Sequence, residues 1–433
     1  MQRSLWAVIA GTFTLRFSTG LTGTMLVYYL AELPTHGGPT VDPLVIGVYG
    51  AAFFLAELVL SPPFGSLGDR VGYHRVMQLG PLFGFVAVIL TGLTTNLWLL
   101  GVTRALEGAS TAASVPSILG FIALATAGDV AMRGKAAARF EAATLAGLGA
   151  GLVVAGPLWT LIGPVAFFLN AGIYVLSWVI YRFGVADVRA EHLAHHEHRP
   201  GSVRRYAALL RASHVWLLAP TWIAVNAAIG LWTSQSLFQL VKEPPPQFAD
   251  QVLMGALTPI LISVGFIVAG VVFFAGLFWW GNRFRIYRRT TIIGLGVAGG
   301  AALAVAGLVI NNGGGASLVV VALAVLVAGV GLFVLAGATP AALGLLADMS
   351  ESFPDDRGAI MGLYSVFLAV GQIAGSLIGG VAADLGGLNG ILVATLLILA
   401  VAILPLSRLR TFEHRIEVTP ATPPAPPAPD AVG

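Results

Sequence analysis

From Thr290 to Ala347 the chain runs for 58 residues without an aspartate, glutamate, lysine or arginine. A helix needs about 20 mostly apolar residues to cross the hydrocarbon of a bilayer. Inside that layer every backbone polar group must be satisfied by the chain itself, which leaves helices or closed barrels. The apolar run is continuous rather than alternating, so a barrel is disfavoured. Two helices are expected here, parted at Asn311–Ser317 by NNGGGAS. Further charge-free runs cover 28 residues at 76–103, 40 at 142–181, 30 at 212–241, 32 at 251–282, 26 at 358–383 and 23 at 385–407. The run at 142–181 is broken near Gly163–Pro164 into two helices. Spans at about 4–31, 44–64 and 97–127 contain charges, which brings the expected total to twelve.

Only 10% of the residues are charged, against about 25% in a soluble globular domain. The absence of cysteine excludes disulfides, thiolate metal sites and cysteine nucleophiles. A net charge of +3 does not make the chain a nucleic-acid binder, because its basic residues sit in short loops between apolar spans. The start, MQRSLWAVIAGTF, resembles a signal peptide. Its apolar run continues to Leu30 with an interruption at Arg16, so it reads as a retained first crossing.

Lysine and arginine set orientation. With the N-terminus inside, Arg16 and Arg104 lie in the membrane and Lys242 falls outside, which leaves 20 of the 23 basic residues on the cytoplasmic side. The expected organisation is a six-helix bundle at 1–182, a cytoplasmic linker at 183–213, a second six-helix bundle at 214–410, and a disordered Pro/Ala-rich cytoplasmic tail at 411–433. The linker carries HLAHHEH (His192–His198), which reads either as a metal-binding tract or as a solvated linker, the second being preferred. No metal site or cofactor is assigned.

An internal repeat links the halves. RGKAAARFEAATLAGLGAGLVVAG from Arg133 aligns without gaps with RGAIMGLYSVFLAVGQIAGSLIGG from Arg357, 224 residues on. Identical pairs include Arg133/Arg357, Gly134/Gly358, Gly147/Gly371, Gly151/Gly375 and Gly156/Gly380. GDRVGYHR at Gly68 has a weaker echo, GNRFRIYR, at Gly281.

Between the second and third spans lies GSLGDRVGYHR. Gly65, Asp69, Arg70, Gly72 and Arg75 follow Gly-x3-Asp-Arg-x-Gly-x-x-basic, with Tyr73 and His74 at two positions that are often basic. With twelve spans divided six and six, this chain resembles the major facilitator superfamily of secondary transporters. RALEGASTAA (Arg104, Glu107, Gly108) looks like the Arg-x-x-Gln-Gly pattern of proton-coupled facilitators, with Glu107 in place of the amide. GLGAGLVVAGP (Gly147–Pro157) resembles the Gly-Pro-ended motif of antiporters, and also reads as small-residue helix packing. The resemblance implies two pseudo-symmetric bundles with both termini cytoplasmic, alternating access, and a site near the midplane. It further implies a gating loop of Gly65, Gly68, Asp69, Arg70, Gly72 and Arg75, with Asp69 accepting from the helix end after Arg357–Gly358.

Charges inside a membrane are costly and mark functional candidates. Arg16, Glu57, Arg104 and Glu107 form the expected proton and substrate pathway, with structural salt bridges as the bland alternative. Arg104 and Glu107 share a helix face, and Arg16 and Glu57 are at a depth where a cross-helix pair is feasible. Glu141 reads as an interfacial partner of Arg139 and Lys135, and Asp129 and Asp348 as gate or cap residues. Asn170, Trp222, Asn226, Gln235 and Gln372 are candidate cavity-lining residues. The first functional reading is proton-coupled efflux of a hydrophobic or amphiphilic compound from the cell membrane, by a monomer energised by a proton gradient. The alternative is uptake or exchange of a small polar metabolite, a sugar or organic anion, with Arg16 as a ligand group. A receptor or scaffold is a third. No P-loop, Gly-x-Ser-x-Gly or His-Glu-x-x-His motif supports an enzyme.

Overall fold

In a computed structural model, residues 2–127, 130–187, 215–283, 286–350 and 357–417 are described. Most of the linker, with His192–His198, and the tail beyond 417 fall outside them, as do the side chains of Asp129, Arg133, Gly134, Asp348, Arg357 and Gly358. The described residues are all helix and loop. In chain order the helices are α1 (Gln2–Ala31), α2 (Pro43–Val71), α3 (Tyr73–Met77), α4 (Leu79–Leu93), α5 (Leu97–Ala125), α6 (Val130–Ile162) and α7 (Ala166–Gly184). The second half adds α8 (Val215–Val241), α9 (Pro259–Gly281), α10 (Arg289–Asn311), α11 (Leu318–Leu335), α12 (Ala338–Ser350) and α13 (Arg357–Glu417). Among the described residues nine stretches are long and apolar enough to cross a membrane, and four of these, two of them 50 and 47 residues long, hold a break. The protein is a multi-pass integral membrane protein.

The breaks have local causes. Gly163, at φ 54°, starts the short turn between α6 and α7. Gly387, at φ 58°, divides α13, close to but not at the expected Asp384. That kink is pinned by amides that sequence reading passed over. Gln251 donates to the Gly386 carbonyl at 2.9 Å, while Asn311 donates to Gln251 at 3.0 Å and to Asn389 at 2.8 Å. The stretch read as one span after Ser317 is two helices, α11 and α12. Pro340 is the cause: its ring would clash with the carbonyl four residues back, so the helix restarts at Ala338.

α1 is long enough to cross but is not among the nine apolar stretches. Its reason lies in its position. Most of it is buried against α6 and α7, and the buried set includes Thr12, Ser18, Thr22 and Thr24. A helix enclosed by other helices can carry hydroxyls that a lipid-facing helix cannot. Asn170 of α7 donates to the Ser18 carbonyl at 3.1 Å and to Thr22 at 2.7 Å, and Ser177 donates to the Gly11 carbonyl at 3.0 Å.

The repeated glycines make matching contacts. A methyl group on Gly147 of α6 would sit 2.6 Å from the Phe13 carbonyl of α1, and one on Gly371 of α13 would sit 2.6 Å from the Ile223 carbonyl of α8. Gly151 and Gly375 abut α1 and α8 one turn further on. Gly156 then meets Pro259 of α9, and Gly380 meets Pro43 and Leu44 of α2, so each crosses to the other half. Small residues let backbones approach where no hydrophobic effect drives helices together.

Candidate functional site

The two halves meet at one end. Call the face carrying residues 32–42, 94–96, 163–165 and 242–258 the distal face, and the opposite face, where α1 begins at Gln2 and α7 ends at Gly184, the terminal face. One apolar cluster joins Leu26, Leu30, Tyr49 and Trp159 of the first half to Phe238 and Ile262 of the second, all near this face. Towards the terminal face the buried clusters lie within one half each: Leu5, Met77, Phe140 and Tyr181 in one, Trp222, Ile292, Leu345 and Leu406 in the other. Polar contacts also bind the distal end. Gln235 of α8 donates to the Pro43 carbonyl at 2.8 Å, and Lys242 donates to the Val41 carbonyl at 2.6 Å. Burial pulls the Lys242 pKa below its ordinary value, with Asp42 and Asp384 acting in the opposite direction.

Beneath this seal, between the halves, is a cavity of about 160 Å³. Thr19, Thr24, Tyr49, Arg104, Thr233 and Ser234 give it polar lining, and Leu26, Leu30, Ile46 and Leu237 give it apolar walls. The position of Arg104 follows from α5. Asn96 caps that helix by accepting from the Trp98 and Leu99 amides at 2.9 and 3.2 Å, so Arg104 lies about 10 Å into it. Gly108 lets α5 close on the Phe53 backbone of α2, and the Arg104 guanidinium lies 4.9 Å from the Phe53 ring centre. As the sequence spacing requires, Arg104 donates to Glu107. The Arg104 side chain is 16% exposed and that of Glu107 is fully buried, so the arginine stands between the carboxylate and the cavity. Among the described residues the second Glu107 oxygen, Oε1, has no hydrogen-bond partner.

Deeper lie Arg16 and Glu57, both about 20 Å from the distal ends of their helices. Arg16 donates to Thr111 at 3.4 Å. Among the described residues it makes no ion pair with Glu57 within 4.0 Å, though it is the cation whose field acts on that carboxylate. The four candidate charges thus all sit in the first half, on α1, α2 and α5.

The five candidate lining residues are all buried, and none borders the 160 Å³ cavity. Asn170 ties α7 to α1, Trp222 packs in the second half's core, and Asn226 donates to the Trp222 carbonyl at 2.9 Å. Gln235 belongs to the distal seal, and Gln372 accepts from Thr233 at 3.4 Å. The hydroxyls that do line the cavity escaped notice because threonine and serine are common on membrane helices, where they bond back to their own backbone.

The gating-loop motif is mostly helix. Gly65, Gly68, Asp69 and Arg70 continue α2, and the chain turns only at Gly72, at φ 97°. Tyr73 fits against Gly68 and Gly120 and donates to Asp69 at 2.5 Å. His74 is buried, with Nε2 3.1 Å from the Tyr181 carbonyl oxygen. Arg75 pairs with Asp187 at 3.7 Å. Tyr73 and His74, odd against the motif, thus fasten the loop to α5 and α7 of its own half.

Residues 8–348 match the family described as Major Facilitator Superfamily. The chain belongs to that superfamily. Its fold is that of the nucleoside transporter NupG, whose crystal structure superposes with a TM-score of 0.71 over 95% of this chain and 99% of that one, at 12% identity. A mutant of the same transporter superposes at 0.68. Sequence relatives align over shorter stretches. The multidrug resistance protein MdtG of Proteus mirabilis is 31% identical over 107 residues, 25% of this chain and 26% of that protein. The quinolone resistance protein NorA of Staphylococcus aureus is 25% identical over 123 residues, 28% and 30% of the two chains. The chain thus spans less than a third of the length of these relatives.

Proposed function

We propose that this superfamily member is a proton-coupled secondary transporter, working by alternating access, that takes up or exchanges a small polar solute such as a sugar or organic anion. Its twelve crossings are α1, α2, α3 with α4, α5, α6, α7, α8, α9, α10, α11 with α12, and the two arms of α13. Both ends are cytoplasmic, so the distal face is extracellular and closed. The observation that carries the reading is Arg104 at the cavity edge with Glu107 buried behind it. A solute carboxylate or hydroxyl that engages Arg104 competes with Glu107. A buried carboxylate that loses its cation takes up a proton. Solute and proton are then linked through one arginine, with Arg16 and Glu57 as the deeper stage of the path. The segment Gly65–Arg75 serves as the gate at the cytoplasmic face, where Asp69 exchanges Tyr73 for the start of α13.

Efflux of a hydrophobic compound is the second reading. It is supported by the partial similarity to MdtG and NorA and by the apolar walls of the cavity. The small cavity, its hydroxyls and the likeness of fold to a nucleoside transporter suit the polar solute better. Counterflow of labelled sugars, nucleosides and organic anions in proteoliposomes, with and without an imposed pH gradient, tests the reading. Gradient-driven accumulation of one of them supports it. Export of hydrophobic dyes with no polar-solute flux overturns the solute class, and no flux of any kind overturns transport.

A further inference from the structure

A second cavity, of about 270 Å³, lies far from the first, between α1 and α6 near the terminal face. Leu5 and Ile9 form its apolar side, and Gln2, Lys135 and Arg139 its polar side. Trp6, 52% exposed, stands at its edge with the Arg139 guanidinium 4.8 Å from its ring centre. Lys135 and Arg139 are one turn apart and share a face of α6. Both are exposed, and among the described residues neither has a carboxylate within 4.0 Å. The expected interfacial pair with Glu141 is not made: that residue, two along from Arg139, lies on another side of the helix.

Depth identifies the ligand. Measured down α6 from Ile162, Arg139 is about 35 Å and Lys135 about 40 Å from the distal end, and Trp6 is about 38 Å down α1 from Ala31. A hydrocarbon core is about 30 Å thick, and headgroups extend it to about 40–45 Å. Two cations and a tryptophan therefore stand at headgroup level, with Ile9, about 33 Å down α1, on the side nearest the hydrocarbon. We propose that this groove binds the headgroup of an anionic phospholipid, its phosphodiester held by Lys135 and Arg139 and its upper acyl chain by Leu5 and Ile9. Arg139 supplies fork-shaped donors matched to phosphate, Lys135 a compact charge. Basic pockets between membrane helices take such headgroups, and Trp6 is the aromatic that an interface favours. The inference needs only the bilayer and not the transport reading.

Native mass spectrometry of the purified full chain tests it, with phosphatidylglycerol and phosphatidylcholine added in equal amounts. Preferential retention of phosphatidylglycerol is expected. In K135Q/R139Q the preference falls about thirty-fold, each cation near an anionic surface contributing about five-fold. R182Q, which removes an arginine at the terminal end of α7, keeps the preference. K135R/R139K, which preserves both charges, keeps the bulk of it and shows that the groove tolerates substitution. Equal loss in R182Q, or no loss in K135Q/R139Q, overturns the site. Glycerol 3-phosphate binding as tightly as the lipid makes it a soluble-phosphate site and overturns the lipid assignment.

Discussion

Gly156 and Gly380 occupy matching places in the repeat, and each brings a backbone of one half against a helix start of the other. Alanine at both sites tests whether these contacts govern which face is open. A methyl group on Gly156 overlaps the Pro259 carbonyl, and one on Gly380 sits 3.0 Å from Leu44 Cα and 3.2 Å from the Pro43 carbonyl oxygen. Both obstacles are backbone, which yields less readily than a side-chain tip. Overpacking of this kind costs about 1–3 kcal/mol per site, and the two sites share no neighbour, so their effects add to about 2–6 kcal/mol. The penalty applies only while the distal face is closed. At 1.4 kcal/mol per tenfold, the distal-open population gains about thirty-fold or more. The chain has no cysteine, so Thr233→Cys places one thiol in the cavity. Its labelling by an impermeant reagent from the distal side reports opening. Labelling is expected to rise at least tenfold in G156A/G380A. Gly147→Ala is the control, since its methyl meets Phe13 inside one half; it lowers thermal stability without raising distal labelling. Unchanged labelling in a folded double variant, or an equal rise in the control, refutes the reasoning.

Arg104→Gln leaves Glu107 buried without its cation and should cost about 3–5 kcal/mol; R104Q/E107Q should recover the bulk of that loss in thermal unfolding, and a double variant no better than R104Q would refute the pairing. Glu107→Gln should abolish accumulation driven by a pH gradient while leaving solute exchange measurable in proteoliposomes; gradient-driven uptake at the unaltered rate would remove Glu107 from the proton path. Burial depresses the Lys242 pKa in the closed state, so that state binds fewer protons than one with a hydrated lysine, and closure strengthens as pH rises towards the lysine's ordinary value. Distances between spin labels across the distal face should shorten over that range, and Lys242→Met should remove the dependence. At the terminal face Gly72→Ala should cost about 1–3 kcal/mol, because φ 97° disfavours any side chain. Asp187→Asn should cost less than about 1 kcal/mol, because its pair with Arg75 is exposed; the two variants are ranked by thermal unfolding.

The sequence determined the helices and the membrane. Charge-free runs and loop glycines located the apolar helices, because crossing a bilayer imposes length and backbone satisfaction on each segment separately, but not all their ends: α2 runs on through Asp69 and Arg70, and α6 starts at Val130, ahead of Lys135 and Arg139. The three-residue spacing of Arg104 and Glu107 fixed their pairing, since a helix brings such residues onto one face. The repeat in α6 and α13 was legible because close backbone approach tolerates few residues besides glycine. Tertiary structure alone decided the rest. Thr19, Thr24, Thr233 and Ser234 became cavity lining through the rotation of α1 and α8 about their axes, which a hydroxyl-rich pattern does not encode. Arg16 met Thr111 rather than Glu57 because helix packing sets lateral distance, where sequence gives only depth. Closure at the distal face depends on which pairs of helices meet across the halves, a property of the whole assembly that no single span carries.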